Sequence, residues 1–150
     1  MMQAQTISAV QEDYLEAILV LEAESPRVRV RDLAERLGVH KSTVTAALKA
    51  LAERGLIEYE PYGQIVMTRV GRRAGERVSA DHAVVKAFLA DILMIDEETA
   101  EENACRMEHV MDRAVLNRLG SFTAYMTDGQ RRDGKDFLGD LNIYLKTEPA

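Results

Sequence analysis

Two short, apolar-patterned stretches joined by only three residues constrain this chain most. Arg31 to Leu37 carries Leu33, Ala34 and Leu37 on one face, and Lys41 to Arg54 carries Val44, Leu48 and Leu51 at three-to-four spacing. Gly38-Val39-His40 links them, with Gly38 suited to a tight C-cap, and Gly55 ends the second stretch. A link that short turns the second helix sharply across the first, which is the geometry of a helix-turn-helix. Upstream, Val10 to Glu24 reads as a helix with Tyr14, Leu15, Ile18, Leu19 and Leu21 near one face, and Ser25-Pro26 breaks it. Downstream, Leu56 to Glu60 and Gln64 to Thr68 read as strands around a Pro61-Tyr62-Gly63 turn. The expected unit is three helices closed by a hairpin: a winged helix-turn-helix.

The rest of the chain reads as helical. A long helix is expected from about Gly71 to Leu93, with Val78, His82, Val85, Leu89 and Ile92 along one stripe. Asp96 is placed to cap a helix running to about Met111. Val115 to Met126 forms another, Thr127 to Lys135 a polar loop, and Phe137 to Leu145 a last amphipathic turn or two. The expected fold is therefore mainly α, with a winged-helix domain over residues 1–70 and a helical domain over 71–150. The apolar excess in Val84, Val85, Phe88, Leu89, Ile92, Leu93, Met94 and Ile95 fits an isologous dimer surface.

A net charge of −6 argues against nucleic acid until it is divided along the chain. Residues 1–75 hold 10 basic and 10 acidic side chains, whereas residues 76–150 hold 9 and 15. Between residues 27 and 54 there are 7 basic against 3 acidic, a local balance of +4. Phosphate recognition needs a basic patch and not a basic protein. The second helix of the motif offers His40, Lys41, Ser42, Thr43, Thr45, Ala46 and Lys49 to DNA. Ser42 and Thr43 suit phosphates, and His40, Thr45 and Ala46 suit base edges. Arg27, Arg29 and Arg31 are candidates for further phosphate contacts, and Tyr62 and Gln64 stand at the wing tip. Ser42 has a plainer reading as a helix-start residue, and Arg27, Arg29 and Arg31 as a solvated face.

A second chemistry lies in Cys105-Arg106-Met107-Glu108-His109. On a helix, Cys105, Glu108 and His109 share one face, and a thiol, a carboxylate and an imidazole converging there suit a transition metal. Asp13 and Glu16 are spaced the same way near the N-terminus. No apolar run approaches a bilayer's width, the first nine residues lack a secretory pattern, and a single cysteine forms no internal disulfide. A cytoplasmic protein with no membrane partner is expected.

These motifs resemble the diphtheria-toxin-repressor (DtxR/MntR) family of metal-dependent transcriptional repressors, in particular its two-domain, manganese-regulator-like branch. The resemblance spans about Gln11 to Phe122. It rests on Glu12-Asp13-Tyr14-Leu15-Glu16, Asp32-Leu33-Ala34, Val44 through Gly55-Leu56, Tyr62-Gly63 ahead of Thr68, and Ala104 through Val110, all in the family's order. It implies a DNA-binding domain followed by a dimerisation and metal-binding domain, without the third, barrel-like (SH3-like) domain of longer members, and no enzyme. It also implies Asp13, Glu16, His82, Cys105, Glu108 and His109 as metal ligands, with Glu101 one turn before Cys105 at an ancillary position. The pattern is mixed: the manganese branch has Glu where Cys105 stands, and the iron branch has Cys there but lacks the acids at Asp13 and Glu16. Mn(II) or Fe(II) is expected, at one or two ions per subunit, with a lean to Mn(II).

In the expected mechanism, a cation ties the first helix to the second domain and so fixes two recognition helices of a homodimer on a palindromic double-stranded operator, in control of metal-homeostasis genes. Two other readings remain open to the sequence: a metal-independent winged-helix regulator sensing an organic ligand, and a small metallohydrolase, for which no nucleophile motif is evident.

Overall fold

The computed structural model describes residues 7–61, 63–128 and 136–147. The elements follow in order: α1 (Ala9–Glu24), α2 (Val30–Leu37), α3 (Lys41–Glu53), β1 (Ile57–Tyr59), β2 (Ile65–Met67), α4 (Arg69–Ala87), a π-helical turn (Phe88–Ile92), α5 (Glu97–Met107), α6 (Arg113–Thr127) and α7 (Phe137–Thr147). The fold is mainly α with one two-stranded wing, as the sequence pattern predicts. The chain divides into two compact units, residues 1–79 and 80–150.

The first unit is built by local rules. Ser8 caps α1: its side chain accepts from the Gln11 amide while the Gln11 side chain accepts from the Ser8 amide, a reciprocal box. Gly38 ends α2 in the left-handed conformation (φ 65°), and Val39 N–H returns to Ala34 O at 3.0 Å. That closure satisfies carbonyls the helix end would otherwise orphan, and an L side chain at Gly38 would be strained there. The wing strands are antiparallel, with Ile57 opposite Met67 and Tyr59 opposite Ile65. Their alternation turns Ile57, Ile65 and Met67 inward and Glu58 and Val66 outward. The core joins Tyr14, Leu15 and Ile18 of α1, Leu33 of α2, and Val44, Leu48 and Leu51 of α3 to these wing residues.

The sequence pattern starts the long helix at Gly71, whereas α4 begins at Arg69. The reason is Thr68. Its hydroxyl accepts from Gly71 N–H at 3.1 Å, as an N-cap does, and donates to the carbonyls of Gly55 and Leu56 at 2.8 and 3.0 Å. Gly71 is demanded sterically, since a Cβ there would stand 1.8 Å from Leu56 O. This packing keeps the first part of α4 with the winged helix, so the division between units falls inside α4.

The second unit has a smaller core: Val85, Leu89, Ala100, Ala104 and Leu116 are buried, with Val84, Phe88, Leu93, Met107 and Leu119 packed against them. The rings of Phe88 and Phe122 lie 6.4 Å apart, tilted by 57°. Just past the π turn and its cap Leu93, Met94 is left-handed (φ 55°), and Ile95 N–H reaches back to Leu89 O at 3.0 Å. The apolar excess near residue 90 is therefore spent mostly inside the unit. Of the stripe read as a dimer surface, only Met94 and Ile95 are exposed. Other large exposed apolar side chains of this unit are Val110 before α6, Val115, Phe122 and Tyr125 on α6, and Phe137, Ile143, Tyr144 and Leu145 on α7. The helix expected to reach Met111 stops at Met107, and Glu108 to Val110 form a turn closed by Val110 N–H to Met107 O at 3.1 Å. Among the described residues no helix is long and apolar enough to cross a membrane.

Candidate nucleic-acid and metal sites

On the first unit, α3 presents Lys41, Ser42, Thr43, Ala46 and Lys49 to solvent, while Val44, Leu48 and Leu51 hold its other face in the core. A cleft of about 740 Å³ runs beside it, lined by Arg27, Arg29, Arg31, Lys41, Thr45, Lys49, Tyr59, Pro61 and Gly63. The basic residues singled out in the sequence thus converge on one concavity between α3 and the wing. His40 occupies the N-cap position of α3 in extended conformation, without a side-chain capping bond. Ser42 and Thr43 fall in the first helical turn, where backbone N–H groups and the helix dipole favour an anion. Thr45 Oγ1 donates to the Lys41 carbonyl at 2.9 Å, so its methyl and its oxygen lone pairs are what it offers a base edge. Gln64 is exposed just before β2. Tyr62 lies outside the described residues.

On the second unit, α4 and the end of α5 bring His82, Glu108 and His109 together. His82 Nδ1 lies 2.6 Å from Glu108 Oε2, and His82 Nε2 lies 3.1 Å from Glu101 Oε1. Hydrogen bonding to Glu108, opposed by burial and reinforced by Glu101, pushes the His82 pKa up to about 9. Glu108 is buried, with 1% of its side chain exposed, and its Oε1 has no hydrogen-bond partner. His109 Nε2 lies 3.4 Å from that oxygen without making a hydrogen bond to it. A buried carboxylate oxygen without a hydrogen bond, beside two imidazoles, is costly unless a cation joins it. Imidazole and carboxylate donors suit first-row divalent metals, so the residues fit such an ion.

The other candidate ligands are placed as follows. Glu101 and Cys105 lie on the exposed side of α5, and Asp13 and Glu16 stand one turn apart on α1, both half-buried. Two pairings around the cluster carry no sequence motif. Lys86 Nζ sits 2.8 Å from Glu101 Oε2 and 3.4 Å from Glu97 Oε1. Arg113, the first residue of α6, makes a two-pronged bond to Asp81, with Nη2 at 2.7 Å from Oδ2. This clamp joins the residue before His82 to the helix that follows His109. Neither the Lys86 pairings, which join α4 to α5, nor the Asp81–Arg113 contact, 32 residues apart, had a local signal.

A winged helix followed by a helical unit with an imidazole–carboxylate cluster defines a two-unit DNA-binding regulator. The chain belongs to the iron-dependent repressor family: its N-terminal DNA-binding domain model matches residues 6–65, and its metal-binding and dimerisation domain model matches residues 68–133. That is a family of metal-dependent transcriptional repressors rather than enzymes, and its second domain is the dimerising one. The chain is 36% identical to an uncharacterized HTH-type transcriptional regulator of Methanocaldococcus jannaschii, over 78% of this chain and 94% of that protein. It is 33% identical to the HTH-type transcriptional regulator MntR of Bacillus subtilis, over 91% and 93% of the two chains. Among solved structures, a manganese-dependent transcriptional repressor in complex with manganese superposes with a TM-score of 0.71 at 28% identity, over 77% of this chain. This chain spans 53% of that structure's length. The IdeR structure from T. acidophilum, at 24% identity and a TM-score of 0.67, shares the fold.

Proposed function

We propose that this chain represses metal-homeostasis genes in the cytoplasm, as a homodimer on a palindromic operator, with Mn(II) or Fe(II) as its co-repressor. The observation that carries the reading is Glu108: a buried carboxylate with an unbonded oxygen between His82 and His109, in a chain of this family. Asp13, Glu16 and Cys105 join His82, Glu108 and His109 as the ligand set, enough donors for one or two ions. Asp13 and Glu16 are hard oxygen donors of the kind that suits Mn(II), and geometry and metal supply select it against ions of higher intrinsic affinity. When bound, a divalent cation supplies the positive charge that these carboxylates lack.

The chain's own residues supply the rest. Asp13 and Glu16 belong to the helix that packs beneath α3, so fixing them restrains the reading head. Lys41, Lys49, Arg27 and Arg29 anchor phosphates, and His40, Thr45 and Ala46 face base edges. The test is fluorescence anisotropy on promoter DNA at buffered free Mn(II), Fe(II), Co(II) and Zn(II), with a chelator control. Tightening by Mn(II) or Fe(II) that His109→Ala abolishes is expected. Equal affinity in chelator sinks the proposal.

A further inference from the structure

Glu101, a candidate ligand, is held by a lysine ammonium of the protein itself. Lys86 lies one turn after His82 on α4, and Glu101 one turn after Glu97 on α5. The Lys86 ammonium sits 2.8 Å from Glu101 Oε2, and the other oxygen of the same carboxylate faces His82 Nε2 at 3.1 Å. The opposite nitrogen, Nδ1, faces buried Glu108. An imidazole that binds a metal through one nitrogen commonly donates the other N–H to a carboxylate, which fixes its tautomer and ring orientation.

The two sides of His82 differ in what they offer. The Nδ1 side has a buried acceptor oxygen with no hydrogen bond, whereas the Nε2 side has a carboxylate already neutralised. A second divalent cation at Glu101 would meet an ammonium about one hydrogen-bond length away, and like charges at that range repel strongly. We propose that Glu101 is no metal ligand but the outer carboxylate that orients His82, held in that role by Lys86. This rests on the metal-regulated reading above.

The test is anaerobic Co(II) titration of the full chain, reading the visible d–d bands, the ions bound per subunit and the affinity against a competing chelator. Glu101→Gln should keep the band positions and the stoichiometry of the native protein while weakening affinity by about tenfold or more. Lys86→Met should weaken it in the same sense, and Lys86→Arg, which keeps the ion pair, should restore native affinity. Shifted bands or a lost equivalent in Glu101→Gln would make Glu101 a ligand and overturn the inference. Native affinity in both Glu101→Gln and Lys86→Met would overturn it too. Failure of the underlying reading looks different: the native protein itself then takes up no cobalt, and the inference falls with it.

Discussion

The two units solve the same problem with unequal means. The winged helix surrounds a contiguous core of large side chains, with Leu15, Ile18, Leu33, Leu48 and Leu51 fully buried. The second unit closes around two alanines and a few larger residues, buries Glu108 and Asp81, and leaves aromatic rings on α6 and α7 in solvent. A domain that reads DNA must hold a shape, and ordinary close packing does that. A unit matched by a metal-binding and dimerisation domain instead keeps charged groups inside and rings on its surface. The lesson is that stability and responsiveness are segregated along this chain.

The sharpest way to break the contrast is a matched pair of truncations. Leu48→Ala should cost about 2–5 kcal/mol, because its site is enclosed on every side, and Leu116→Ala should fall at the lower end of that range. Urea unfolding of each variant, with separate probes for the two units, checks this. An equal or larger loss at Leu116 would erase the distinction.

Next in size is a pH effect confined to the second unit. The His82 pKa is raised in the folded state to about 9, so its stabilising contribution in metal-free protein is complete below the unfolded value, about 6.5. That contribution is lost as pH rises from there through about 9. A metal competes with the same proton, so metal affinity should climb over the same window, with release of up to one proton per ion bound. Calorimetry in buffers of different ionisation heat measures that proton. Proton-free binding at pH 7 would remove His82 from the ligand set.

The smallest effect belongs to the first unit's surface. Lys41→Ala should weaken all DNA sequences alike and lower the salt slope by about 1, with no change in metal affinity measured without DNA. An unchanged slope would take Lys41 out of the phosphate contacts.

Much of this architecture was written in local signals. Gly38, Gly55 and the Pro61 turn punctuate the winged helix, and the periodic leucines choose each helix's inner face. What escaped was set by distant atoms. Thr68 moves the start of α4 because its hydroxyl meets carbonyls 12 and 13 residues back in the chain. The stripe at 84–93 reads as excess until α5 and α6 are there to cover it. Within the candidate metal cluster, residue types and spacing singled out His109 and Glu108. The helix that presents them ends earlier than its pattern suggests, and the burial that distinguishes Glu108 from Cys105 arises only in three dimensions.

The carboxylate of Glu108 also bears on how such a protein evolves. Replacing a buried, incompletely bonded charge by an apolar residue of similar volume often stabilises a fold. Selection for heat resistance alone would therefore favour a methionine at position 108, and with Glu108 as the proposed ligand the hardier descendant would lose its signal. An acid found at that position in related chains would mark lineages kept for regulation and not for toughness, a simple way of telling working sensors from decayed copies.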